Sequence, residues 1–475
     1  MNISRICPQI TKLDRSTDPS RAFAALSARP WPFWLDSALP DDERARWSFV
    51  GCDPFLTFTV RDGRCVIRLG RRSATVAANP FELLRSLLAQ YQIERFDTDI
   101  PLVGGAVGYL GYEMARHLEK LPDPPPDDVH LPDAMFGFYD VILAFDHVSN
   151  SAWLVSTGLP ETDEPARCTR AGVRADQLRS LLAASDEPDH HSVDLTSGTC
   201  SADMSPDEYR DAVQAIRQSI IAGDVYEVNL SQRFTLRTDL TPIQLHHRLR
   251  RINPAPFAAC LDYGDFGIVS SSPERFLCKR RARLESRPIK GTRPRGETPD
   301  NDARLARELL TSEKDRAENV MIVDLVRNDL GRVCSYGSVT VAGLAELETF
   351  PSVHHLTSTI TGRLRDDCDA VDALTAAFPG GSITGAPKVS AMESISRHET
   401  CRRGVYTGSI GYLGFDGDFD FNIAIRTITL RDGRAAVHTG GAIVFDSDPQ
   451  QEYEETLVKA NSMLRAVQRS GQQVT

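Results

Sequence analysis

Glu285-Ser-Arg-Pro-Ile-Lys-Gly-Thr-Arg-Pro-Arg-Gly296 decides how the rest of the chain is read. A strand-like stretch, Ala282 to Ser286, leads into it, and Gly291, Pro294 and Gly296 break regular structure after it. The pattern predicts Lys290 at a strand end, followed by a loop. An amine there is a nucleophile or base only in its neutral form, which alone has a lone pair to donate. From a free value of about 10.4, reaching roughly 7 takes about 4 to 5 kcal/mol of burial or nearby positive charge. Arg287, Arg293 and Arg295 are at hand to supply such charge. A solvated basic loop accounts for the same local residues. The rest of the chain has to decide.

The 475 residues are 41% apolar, enough for a large core; length fits about three domain equivalents or one elaborate fold. A formal charge of -11 disfavours nucleic acid or an anionic membrane as the main partner. A small anionic substrate in a locally basic cleft remains compatible with it. Ten cysteines without a Cys-x-x-Cys pair read as reduced thiols, not as a zinc cluster, a thioredoxin motif or a secreted disulfide framework. The N-terminus lacks an apolar h-region and no run approaches the ~18 apolar residues of a membrane span, so the expected compartment is the cytoplasm.

Residues 1–160 read as short strands: Trp47–Val50, Leu56–Val60, Cys65–Leu69, Val103–Tyr109 and Met135–Phe145, interrupted by a helix at Phe81–Tyr91. Leu121-Pro-Asp-Pro-Pro-Pro-Asp-Asp128 is a stiff surface excursion. The glycines at 104, 105, 108 and 111 have the wrong spacing for a dinucleotide loop. Residues 161–204 form a connecting segment, with a helical patch at Arg170–Ala184 and an aperiodic polar boundary at 185–192. Residues 205–468 begin with a capping box, Ser205 to Glu208, and an apolar stripe of Tyr209, Val213, Ile216 and Ile220 that Gly223 ends. Strands are expected at Val225–Leu236, Phe257–Leu261, Phe266–Ser271, Phe276–Lys279, Leu284–Lys290, Tyr406–Leu413, Phe419–Leu430 and Arg434–Thr439. Helices are expected at Ile243–Arg251, Asp302–Leu310, Lys314–Asp329, Ala370–Ala377, Lys388–Ser396 and Glu452–Gln468. This interleaving predicts an α+β fold, with large antiparallel sheets covered by helices.

Glu452, Glu455 and Lys459 fall at i, i+3 and i+7 and share a helix face. Asp315 and Glu318 repeat the i, i+3 pair on another helix, and the two clusters together supply oxygen ligands of the kind Mg2+ takes. A solvated acidic face with a Glu455 to Lys459 pair is the alternative. Gly380 to Lys388 is a flexible loop entering a helix, suited to holding an anion but lacking the Gly-Lys-Ser/Thr of a nucleotide loop. His438-Thr-Gly-Gly441 offers a similar amide-rich turn, and Arg426 and Lys459 can pair with carboxylates. Glu274, in a turn between strands, is a candidate general acid, although an isolated glutamate there is more often exposed.

Seven stretches in order resemble the chorismate-utilising enzymes, the family of anthranilate, aminodeoxychorismate, isochorismate and salicylate synthases. They are Ser272–Arg275, Pro288–Gly296, Glu313–Asn319, Asp324–Arg332, Pro379–Lys388, Ala424–Arg426 and Glu452–Glu455. The resemblance is strong over 205–465 and weaker over the first 150 residues. It implies a β-sandwich of large antiparallel sheets covered by helices, as in anthranilate synthase component I. Pro-Ile-Lys-Gly-Thr, where anthranilate synthases typically carry Ala, resembles the aminodeoxychorismate synthase component I branch. Glu227 stands where water-adding members carry Lys and this branch usually carries Gln.

The resemblance further implies a transaminase-class enzyme that makes 4-amino-4-deoxychorismate for 4-aminobenzoate and folate synthesis. Mg2+ would be held by Glu318 and Glu455, with Asp315 and Glu452 acting through water. Lys290 would attack C2 of chorismate while Glu274 protonates the departing C4 hydroxyl. Arg426, Lys459, Tyr406 and the amides near Gly440 and Gly441 would bind substrate, with His355 facing C4 and Thr384 nearby. No Gly-x-Cys-x-Gly is present and residue 2 is Asn, so ammonia is expected from a separate glutamine amidotransferase subunit, component II. The resemblance ends at the last helix, so a lyase that completes 4-aminobenzoate is expected to be a separate protein. Leu35 to Ala38 resembles part of a tryptophan pocket, which places Ser37 there. Anthranilate synthase component I and a catalytically silent chorismate-binding homologue are the alternatives.

Overall fold

A computed structural model describes residues 8–14, 17–39, 45–184, 200–350 and 353–468. Two antiparallel sheets of twelve strands each form the body, and each draws strands from both sides of the connecting segment. In the first sheet Gln9–Lys12, Ser151–Ser156, Val141–Asp146, Trp47–Gly51 and Phe33–Asp36 lead to Phe257–Asp262, Phe266–Ser272, Thr427–Arg431, Arg434–Ile443, Glu227–Arg237 and Ser201–Ala202. Gly385–Ala386 adds a short pairing at Glu227 and Val228. The second sheet runs from Ile289–Pro294 and Arg283–Arg287, both on one edge of Val353–Arg363, through Arg275–Arg280, Phe419–Asn422 and Ser409–Gly414 to Gly105–Leu110. It continues into Ala134–Tyr139, Leu56–Arg61, Arg64–Leu69 and Arg72–Val76.

Alternation along the strands builds two cores. Phe33 faces the gap between the sheets, where it meets Tyr139 of the second sheet edge-on at 4.6 Å. Its neighbour Trp34 faces the other way, into a layer with Leu245 and Leu249 of helix Pro242–Ile252 and Met463 of helix Pro449–Val467. This is the α+β arrangement of helix-covered antiparallel sheets that the residue pattern predicts.

The element boundaries differ from expectation at informative places. Met135–Phe145, read as one strand, is two: Ala134–Tyr139 in the second sheet and Val141–Asp146 in the first. The chain changes sheet at Asp140, a fully buried carboxylate paired with Arg170 and Arg174. Phe419–Leu430 likewise splits, its halves lying in different sheets on either side of residues 423–426. Leu284–Lys290 breaks at Pro288, and the expected loop after Lys290 is a strand as far as Pro294. Tyr406 lies in a turn before strand Ser409–Gly414. The hairpin of Thr340–Thr349 and Val353–Arg363 was not anticipated. The polar boundary at 185–192 lies outside the described residues.

Candidate active site

Lys290 is aimed by a bulge. The pairing of Ile289–Pro294 with Val353–Arg363 shifts register between Ile289 and Thr292, where Gly291 has φ 83°. A side chain on Gly291 would sit 3.0 Å from Cβ of Asp315, so glycine also lets helix Glu313–Gly331 approach. Lys290 is buried, and its Nζ donates to Oε1 of the fully buried Glu227 at 2.6 Å. The three arginines expected to lower its pKa do not serve that purpose. Arg287 pairs with Glu348, Arg293 with Glu308 and Asp315, and Arg295 with Asp302. Burial pulls the Lys290 pKa down, but Glu227, Glu318 and Glu274 outweigh it and leave the pKa raised.

Glu274 sits where the chain leaves strand Phe266–Ser272 of the first sheet for Arg275–Arg280 of the second. It is 3% exposed, against the expectation for an isolated glutamate in a turn. Burial pushes its carboxyl up to about 7, against the pull of Ser382, the Ile289 amide and Lys290. The Ser382 hydroxyl donates to its Oε1 at 2.5 Å and the Ile289 amide at 3.3 Å. Ser382 belongs to the loop 380–388, whose residues 380–386 are buried. The sequence displayed it only as one residue of a glycine-rich stretch. Thr384, fully buried in that turn, donates to the Gly380 carbonyl at 3.0 Å. His355 lies 2.8 Å from the Thr292 hydroxyl through Nδ1 and packs against Phe350.

The carboxylate clusters come from two helices. Glu452 is buried and accepts from the Ser447 hydroxyl at 2.7 Å; burial raises its pKa. Glu455, half exposed, has a lowered pKa, because Lys459 at 2.6 Å together with Lys314 and Lys290 outweighs burial. A Cβ on Gly441 would lie 3.0 Å from Oε2 of Glu452 and 3.6 Å from Oε1 of Glu455, so this glycine keeps open a gap beside both. Glu318, on helix Glu313–Gly331, is pushed up to about 7 by burial. Lys314 stands 4.0 Å from Glu318, and its charge favours the ionised form of Glu318, Glu452 and Glu455. Asp315 is held by Arg293 at 3.0 Å. Among the described residues no three metal-ligating side chains are drawn together as a finished cage. The donor set nevertheless fits a hard divalent cation: all ligands are carboxylates, and Glu318 and Glu452 have raised pKa values that added positive charge would relieve.

Arg426 occupies the second sheet crossing with φ 51°, its carbonyl accepting from the Ser271 amide at 3.0 Å. Among the described residues no carboxylate pairs with its guanidinium, and burial lowers its pKa. A half-buried arginine without a carboxylate partner has the chemistry to receive an anion. Near it the Tyr406 ring stacks on His438 at 5.2 Å, and burial pushes its phenol up to about 12. Gly440 is needed for close strand approach, since a Cβ there would meet the Leu230 carbonyl at 2.3 Å. Lys459 donates to the Gly440 carbonyl at 2.9 Å as well as to Glu455, so it braces this wall of the site.

Away from these residues, a cavity of about 650 Å³ lies between the sheets, lined by Ser37, Trp47, Phe49, Pro256, Arg275 and Asn422 among others. The Ser37 hydroxyl there donates to the Trp47 carbonyl at 2.6 Å.

Residues 32–465 match the chorismate binding enzyme family. The chain is 42% identical over 445 residues to the aminodeoxychorismate synthase of Streptomyces griseus, covering 91% of this chain and 60% of that one. It is 40% identical over 428 residues to aminodeoxychorismate synthase component 1 of Bacillus subtilis, covering 90% of each. Anthranilate synthase component 1 chains match at 36%, 38% and 41% identity. The crystal structure of anthranilate synthase component I from Streptococcus pneumoniae superposes with a TM-score of 0.79 at 33% identity, over 90% of this chain and 94% of that one. The chain belongs to the chorismate binding enzyme family. Its two sheets and helical layers are the fold of anthranilate synthase component I. Among the described residues no helix is long and apolar enough to cross a membrane.

Proposed function

We propose that this enzyme acts as an aminodeoxychorismate synthase component I, converting chorismate and ammonia to 4-amino-4-deoxychorismate through a covalent bond to Lys290. The observation that carries the reading is a buried lysine on a bulged strand whose charge neighbours include Glu274, a carboxyl pushed up to about 7. A nucleophile and a neutral acid in one pocket are what displacement of a hydroxyl requires. Arg426 would bind one carboxylate of the substrate, with Tyr406, Thr384 and the amides near Gly440 and Gly441 shaping its seat. Glu318 and Glu455 would hold Mg2+, with Glu452 and Asp315 contributing through water while Arg293 holds Asp315; the cation would supply counter-charge for the ring carboxylate. Lys290 attacks C2 as Glu274 protonates the leaving C4 hydroxyl, beside His355. Ammonia then adds at C4 and releases the lysine.

The name component 1 of the B. subtilis relative supports a partner that delivers ammonia, which we take to be a glutamine amidotransferase subunit. The setting would be cytoplasmic 4-aminobenzoate and folate synthesis. Tryptophan is proposed as an occupant of the 650 Å³ cavity at Ser37, which is large enough for an amino acid of that size. Anthranilate synthesis is the second reading, supported by the relatives that carry that name. Product analysis with chorismate, Mg2+ and ammonium salt separates the two. Aminodeoxychorismate that a separate lyase converts to 4-aminobenzoate, strongly reduced in Lys290→Ala, supports the first. Anthranilate and pyruvate from the wild type sink it.

A further inference from the structure

Glu227 makes contacts that the site reading leaves unused. Its Oε1 accepts from Lys290 Nζ at 2.6 Å and from Asn229 Nδ2 at 3.3 Å, whereas its buried Oε2 has no hydrogen-bond partner. A buried carboxylate oxygen without a donor is costly as part of an anion and is relieved by a proton. The other charged groups that act on Lys290 are acidic too: Glu318 from helix Glu313–Gly331 and Glu274 from the sheet crossing. The nearby arginines 287, 293 and 295 are spent on other carboxylates. Resting Lys290 is therefore an ammonium, which has no lone pair, and its attack needs a base in contact with Nζ.

We propose that Glu227 is that base, taking a proton from Lys290 as the lysine attacks and returning it when the lysine is released; this rests on the covalent reading above. In the attack an N–H bond of Lys290 breaks and its proton passes to Glu227. The freed electron pair forms the bond to C2, the ring double bonds shift, and the C4–O bond breaks. The departing hydroxyl takes the proton of Glu274 and leaves as water. Lys290 is then a secondary ammonium, Glu227 neutral and Glu274 a carboxylate, so the total charge is unchanged. When ammonia bonds to C4, the lysine nitrogen departs with its electron pair and recovers the proton from Glu227. The new ring ammonium gives a proton to Glu274, which restores the acid.

The test is single-turnover formation of the Lys290 adduct, read as a mass increment on its peptide, with chorismate and Mg2+ but no ammonia, from pH 6 to 9. The wild-type rate should fall only on the alkaline side, as Glu274 loses its proton above about pH 7, with no loss toward pH 6, because the Lys290 proton is passed inside the pair. Glu227→Gln should be tenfold or more slower at pH 7 and should climb from pH 6 to 7 before levelling, since the Lys290 proton must first leave to solvent. Glu227→Asp, which keeps a carboxylate one methylene short, should retain the wild-type profile at a reduced rate and decides the matter if the Gln variant does not fold. A Glu227→Gln rate at or above wild type at pH 7, with the same pH profile, overturns the role of Glu227 and leaves the adduct standing. Absence of any wild-type adduct, together with undiminished turnover by Lys290→Ala, overturns the covalent reading and this inference with it.

Discussion

Ser382 donates its hydroxyl hydrogen to Oε1 of Glu274 at 2.5 Å, tying the buried residues 380–386 to the acid at the first sheet crossing. The bond favours the ionised acid, and burial opposes it and prevails, so Glu274 stands at about 7. A general acid works only while protonated, so turnover should fall as pH rises through about 7. Removing the donor in Ser382→Ala should push Glu274 higher still. A hydrogen bond of about 1 kcal/mol corresponds to roughly 0.7 pH units. The check is kcat against pH at constant free ammonia, with the alkaline limb moving up by about half a unit to one unit in the variant. An unmoved limb would mean that Glu274 is not the acid.

Arg426 separates binding from folding. Its side chain is half-buried with no carboxylate partner among the described residues, which costs stability in the empty protein. Arg426→Gln should therefore lower kcat/KM about 100-fold or more, chiefly through KM, while the thermal midpoint holds or rises. A midpoint that drops by many degrees with KM unchanged would make the arginine a structural residue.

How much of this was readable in advance turns on where polarity hides. Ser205, Glu208 and Gly223 announced their helix correctly, because caps are local chemistry and Gly223 adopts φ 86°. Val353–Arg363 went unread because its buried residues include His354, His355, Thr357, Ser358 and Thr359, which erase the apolar alternation a strand is recognised by. Tertiary partners satisfy two of them, Asn319 for Ser358 and Asp302 for His354. The sheet changes at Asp140 and at 423–426 interrupt runs that look continuous, since a strand carries no local mark of which sheet it joins. Lys290, Glu274 and Arg426 could be named from motif resemblance, but not the ion pairs that occupy Arg287, Arg293 and Arg295. Those depend on residues up to 61 positions away.

Gly441 tests the carboxylate gap. A methyl group there would stand 3.0 Å from Oε2 of Glu452 and 3.6 Å from Oε1 of Glu455, crowding the space that a cation or its waters would use. Gly441→Ala should raise the Mg2+ concentration for half-maximal activity by about tenfold or more, with a thermal midpoint within a few degrees of wild type. An unchanged Mg2+ requirement would place the cation elsewhere.

His438 supplies a pH signature independent of catalysis. Burial pulls its pKa well below the usual value, reinforced by the positive charge of Arg233 and Arg403 and opposed by Asp203 and Asp128. Folded His438 therefore stays neutral, while the unfolded chain takes up its proton below about pH 6.5. Stability from this residue is complete above that pH and is lost as pH falls, at about 1.4 kcal/mol per unit. Between pH 6.5 and 5 the wild type should lose about 2 kcal/mol more than His438→Gln, whose side chain does not titrate. Urea unfolding of both proteins at the two pH values measures this as a difference of differences, which cancels the acidic groups they share. Loss of the Tyr406–His438 stack will lower the variant's stability at both pH values equally, so only the slope bears on the argument. Equal slopes would show that His438 accepts a proton without unfolding, and that its pocket opens to water.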